Sequence, residues 1–171
     1  GPPPSVLEQW ERTWSECYWS KNKMPDIKCL APGDTLCNNV ECAKWKPAAP
    51  GSKDDEIIMC PHKCVGNPDD IIIHELTHAE QWCRNKGGWR DPLYFAPTNR
   101  VLREIEATKR MKHYFGVAVD ILCDSICQGS GLNNPSIDPS TWDPGNSCYD
   151  YCITHWDDFD WDYYVPPPPF W

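Results

Sequence analysis

Residues 69–83 read DDIIIHELTHAEQWC, and the reading of the whole chain turns on this stretch. Ile72, Leu76, Ala79 and Cys83 recur at helical spacing, an apolar stripe able to hold a helix against a core. Asn67-Pro68-Asp69-Asp70 supplies capping residues and acidic charge at the N-terminus of that helix, and Gly87-Gly88 ends it. Within the stretch, His74, Glu75 and His78 form the pattern H-E-x-x-H. Residues four apart on a helix share a face one turn apart. Two imidazoles can therefore grip one metal ion while Glu75 reaches the adjoining water. Neutral nitrogen ligands beside a carboxylate that can take a proton are what zinc-assisted hydrolysis requires. The competing explanation is an accidental match on an ordinary amphipathic helix.

The chain has 171 residues, enough for one domain with a real core. With 40% hydrophobic residues and ten Trp it should fold. A net charge of −9 argues against nucleic acid or an anionic membrane as partner, since both select clustered Lys and Arg. No apolar run approaches the length of a membrane span. Eleven cysteines, none in a C-x-x-C pair, point to disulfides and a secreted or otherwise oxidised protein. The odd count leaves one thiol free or bonded outside the chain. Gly1-Pro2 resembles a tag-cleavage remnant, and prolines at both ends (Pro2–Pro4, Pro166–Pro169) resemble the edges of a module of a larger secreted polypeptide. The expected division is a proline-rich edge over residues 1–4, a single domain over 5–156 and a tail over 157–171.

In chain order, Ser5–Lys21 predicts a helix capped by Ser5, with Leu7, Trp10, Trp14 and Cys17 facing the core. Prolines and glycines interrupt every period between residues 22 and 52, so that stretch reads as loop, held by disulfides at Cys29, Cys37 and Cys42. A second reading of Cys29 is a thiol that caps the metal. Glu56–Cys60 is the best strand, and as an edge strand it could pair with an extended substrate. His62 reads as solvated. Thr98 should cap a second helix through Phe115, with a continuation toward Gly129. Cysteines four apart on a helix share a face but are poorly placed to bond each other. Cys123/Cys127 and Cys148/Cys152 should therefore bond across an antiparallel pair of helical segments, Cys123 to Cys152 and Cys127 to Cys148. The tail Asp157–Trp171 mixes acids, rings and prolines, and its rings should order it against the domain.

A catalytic zinc site needs a third protein ligand and an open fourth position. Metzincins are excluded, because Gln81 and Arg84 stand where their longer motif needs Gly and His. His74-Glu75-Leu76-Thr77-His78, followed by Glu104-Ile105-Glu106-Ala107, resembles the gluzincin group of zinc metallopeptidases over roughly residues 56–115. The resemblance implies Glu106 as the third ligand. There are departures: the gap between His78 and Glu106 is longer than in thermolysin-like enzymes, and Arg110 stands where those carry Asp. Glu104 and His113 are the other candidates. Glu104 and Glu106 lie about 200° apart on a helix, so only one can face the metal. His113 falls near the face of Glu106 and would be the ligand in a SprT-like reading; with Glu106 as ligand it becomes a donor to the transition state.

The expected fold is α+β and predominantly helical, a zincin-like minimal metallopeptidase domain with a small sheet and disulfide staples. The expected function is peptide-bond hydrolysis by a secreted zinc metalloendopeptidase with a protein or peptide substrate. His74, His78 and Glu106 hold zinc, and Glu75 is general base and then acid to the leaving amine. His113, Tyr94, Tyr114 and His155 are candidates for holding the oxyanion. The alternative is a secreted binding or toxin-like module with a structural or latent zinc site, marked by a closed fourth position.

Overall fold

The computed structural model describes residues 4–13, 25–47, 55–85, 90–111, 116–142 and 146–158. The chain divides into two compact units, Gly1–Trp89 and Arg90–Trp171. The first holds α1 (Pro4–Thr13), β1 (Asp26–Cys29), β2 (Ala43–Lys46), β3 (Glu56–Met59) and α2 (Pro68–Arg84). The second holds α3 (Pro97–Arg110), α4 (Val119–Gly129) and α5 (Cys148–His155). The expected class, α+β and mostly helical with a small sheet, is what the described residues form.

α2 starts where the capping residues put it. The Asn67 side chain accepts from the Asp69 N–H at 3.0 Å, and Pro68, Asp69 and Asp70 fill the first turn. The helix stops at Asn85, ahead of the glycine pair. Its buried face carries Ile73, Leu76, Thr77 and Glu80, with Glu75, Ala79 and Gln81 beside them. The expected stripe was right at Leu76 and Ala79; Ile73 is buried and Ile72 only half so.

The rotation follows from what α2 meets. In the first unit α1 docks on it by a polar face: Val6, Gln9 and Thr13 are buried, whereas Leu7 (42% exposed) and Trp10 (38%) face outward, contrary to expectation. Thr13 Oγ1 lies 2.9 Å from Gln9 O and 3.2 Å from Leu76 O of α2, its one proton shared between the two carbonyls, and it accepts from Gln9 Nε2 (3.1 Å). Arg12 Nε donates to the buried Glu80 at 3.1 Å. Such a face carries no apolar periodicity to read. Trp14 and Cys17 lie outside the described residues. Thr13→Val keeps the shape and removes the hydrogen bonds of a fully buried hydroxyl. It is expected to cost about 1–3 kcal/mol in chemical denaturation, and an unchanged midpoint would show that the docking is apolar.

The sheet order is β1-β3-β2, with β1 parallel to β3 (Asp26 opposite Glu56) and β2 antiparallel to it (Ala43 opposite Met59). β3 is therefore central, which suits its unbroken apolar run. Ile57 and Met59 pack on Leu76 of α2, and Ile58 packs on the other face with Cys37, Val40 and Cys60. The strand was legible but the edge role is corrected: with a neighbour on each side, β3 has no free ladder for a substrate. The stretch 22–52, expected to be loop, contains both edge strands. Cys37–Cys60 and Cys42–Cys64 staple it to the end of β3 and the turn beyond. Cys29 is corrected too, being a free, exposed thiol rather than half of a disulfide. Cys83 is also disulfide-bonded. His62 is exposed, as expected.

In the second unit α3 opens on Pro97, with Ala96 at the cap, so Thr98 lies inside the helix. It ends at Arg110 and does not run into α4. Gly116, at φ +99°, makes a turn that a side chain would strain. The core joins Val101 and Ile105 of α3 to Leu122 and Ile126 of α4, with Trp142, Tyr151 and Trp156. The disulfide ladder stands as expected: Cys123–Cys152 and Cys127–Cys148, with Cα–Cα distances of 5.7 and 5.9 Å. Of the tail, residues 159–171 lie outside the described residues, and so does the expectation that they are ordered. Four disulfides among the described residues point to an oxidising or extracellular environment. Among the same residues no helix is long and apolar enough to cross a membrane.

Candidate metal centre

α2 carries the histidine pair one turn apart. The His74 and His78 rings meet edge to face, with centroids 4.7 Å apart and planes at 80°. Both are half-buried, between core and solvent. His78 Nδ1 is 2.9 Å from Gln81 Oε1. An amide oxygen only accepts, so in this contact the ring donates from Nδ1 and carries its lone pair on Nε2. The pair could hold a metal ion, and this donor chemistry fits one. Imidazole nitrogens suit zinc, copper, iron and nickel alike.

Glu75, between the two histidines in sequence, is 8% exposed. Its Oε2 accepts from the main-chain N–H of Trp45 on β2 at 2.6 Å. That strand is an edge, and the Trp45 donor serves α2 rather than the ladder. The Trp45 ring also packs on Trp82, centroids 5.9 Å apart. One carboxylate oxygen of Glu75 is thus fixed by backbone. The other buried acid of α2, Glu80, is enclosed by Arg12 and by Arg84 (3.6 Å), which makes it a brace between α1 and α2.

α3 carries the two carboxylates considered for the third ligand. Glu106 is 1% exposed, with Arg110 Nη2 3.8 Å away one turn on. Arg110, the departure from the gluzincin pattern, therefore turns its cation toward Glu106. Glu104 is half-buried. Beside it, burial pulls the Arg103 guanidinium below its ordinary pKa, opposed by Tyr94 and then by Glu104.

Two of the oxyanion candidates have other employment in the second unit. Tyr94 is buried, its ring 3.7 Å beneath the Arg103 guanidinium and its carbonyl accepting from Arg103 Nη1. His155 Nδ1 pairs with Asp158 at 2.6 Å, and its ring lies 4.2 Å from that of Tyr151. His113 and Tyr114 lie outside the described residues. Sequence reasoning missed two contributors. Gln81 figured there only as a departure from the metzincin motif, although three residues after His78 is within reach on one helix. Trp45 had no local signal, since its part is played by main chain.

No protein-family model matches the chain, and no curated protein or solved structure does either.

Proposed function

We propose that this protein is a secreted zinc metallopeptidase of gluzincin type, built on a zincin-like fold. The observation that carries the reading is the histidine pair on α2, with rings 4.7 Å apart and a backbone-held carboxylate in between in sequence. The third ligand in this reading is the glutamate that the gluzincin resemblance implies, Glu106, with Glu104 as the alternative. His74 and His78 bind through ring nitrogen; zinc when bound supplies Lewis-acid polarisation of a carbonyl and of water. Glu75 takes the proton of the attacking water on the oxygen that Trp45 leaves available, then returns it to the leaving amine. Trp45 limits the swing of that carboxylate, so the proton acceptor is oriented before substrate arrives. The substrate class is protein or peptide.

One observation favours a second reading, a binding module with a structural metal. Glu75 already braces α2 to β2 at 2.6 Å, a structural job in its own right. Metal analysis of the purified protein, paired with digestion of a mixed peptide library, separates the two. About one equivalent of zinc and metal-dependent cleavage are expected for the peptidase. His74→Ala and His78→Ala should each lose the metal itself. Bound zinc without cleavage would favour the module, and no bound metal would end both readings.

A further inference from the structure

We infer that Gln81 is a positioning residue that sets the tautomer of His78 and so presents Nε2 to a metal. The inference rests on the metal reading above for its purpose, and on the geometry of α2 alone for its substance.

Gln81 is 1% exposed, a buried amide on the same helix as the histidines. Its Oε1 stands 2.9 Å from His78 Nδ1, three residues back along the helix. Neutral imidazole carries its proton on one nitrogen only, and a nitrogen bearing a proton cannot bind metal. An amide oxygen facing Nδ1 holds the proton there. An amide turned the other way would donate to Nδ1 and send the ring proton to Nε2, closing the outer nitrogen to a ligand. Burial makes the choice matter, because a polar amide away from water loses a hydrogen bond if the ring takes the wrong form. Helix geometry makes it reliable, since both groups ride on one rigid element. The same contact fixes the plane of the ring, which lowers the ordering cost of capturing an ion.

Nitrogen-resolved NMR of the His78 ring in metal-free protein reads the tautomer, and chelator competition with zinc alone reads affinity. The wild type is expected in the Nδ1–H form. Gln81→Met, close in shape and lacking the acceptor, should shift the ring toward Nε2–H and weaken zinc about 10–100-fold. Gln81→Glu restores an acceptor and should keep the Nδ1–H form. A wild-type ring in the Nε2–H form, or a Met variant with unchanged tautomer and affinity, overturns the assignment. Should the Met variant fail to fold, the Glu variant decides: loss of the Nδ1–H form there overturns it as well. Should the wild type take up no zinc, the metallopeptidase reading falls, while the metal-free tautomer still decides what Gln81 does.

Discussion

Glu75→Gln is expected to leave zinc content and fold intact while peptide hydrolysis falls about a hundred- to ten-thousand-fold, the usual contribution of a general base. The choice of Gln follows from the Trp45 contact. The Gln amide oxygen can still accept from the Trp45 N–H, which Glu75 now meets at 2.6 Å, but the amide cannot take a proton from water. Glu75→Ala is a worse probe, because it also strips a main-chain donor of its acceptor at a mostly buried position. That loss alone is worth about 1–3 kcal/mol of stability. The pair of variants therefore separates chemistry from bracing. Activity should collapse in both, and the melting temperature should drop in the Ala variant only. Undiminished turnover by a folded, zinc-loaded Gln variant would remove Glu75 from the mechanism.

The second large effect lies in the disulfide ladder between α4 and α5. The bridges close segments with sequence separations of 29 and 21 residues, one nested inside the other. With either bridge intact, the other closes an added loop of only about ten residues, so removing it costs about 2.5 kcal/mol. Removing both frees the whole segment and costs about 6 kcal/mol, comparable with the entire stability of many domains. Cys123→Ala with Cys152→Ala should thus give a folded but weakened second unit. The fourfold alanine variant should lose its near-ultraviolet aromatic signal, since Trp142, Tyr151 and Trp156 share a core with the four sulfurs. A fourfold variant that denatures at the wild-type midpoint would show that the apolar core suffices by itself.

What could be read in advance was local. α2 was legible because cap, period and histidine spacing all fall within one short stretch, and the ladder because paired cysteines four apart leave few good geometries. β1 and β2 were not, since four-residue edge strands with Asp26, Lys28, Lys44 and Lys46 look like any polar loop. The docking face of α1 was hidden for a different reason. Its selection by Leu76 and Glu80, 63 to 68 positions away, works through hydrogen bonds instead of apolar pattern. The choice between Glu104 and Glu106 was also beyond periodicity, which separates the two without ranking them. Gln81 was visible all along as a residue of the right kind at the right spacing, and only the orientation of a side chain gave it a task.

The contact between Glu75 and Trp45 has a further consequence, for solubility. A three-stranded sheet has two open borders, and an unpaired row of amides invites a stray chain to add itself as another strand. Here β1 meets the outside with Asp26 and Lys28, the latter 2.6 Å from Glu56 across the ladder. On the opposite border Lys44 and Lys46 flank Trp45, whose amide is already taken. Glu75, beyond the chemistry proposed for it, also stoppers a docking slot, so an engineer who removes it opens a place for aggregation to begin.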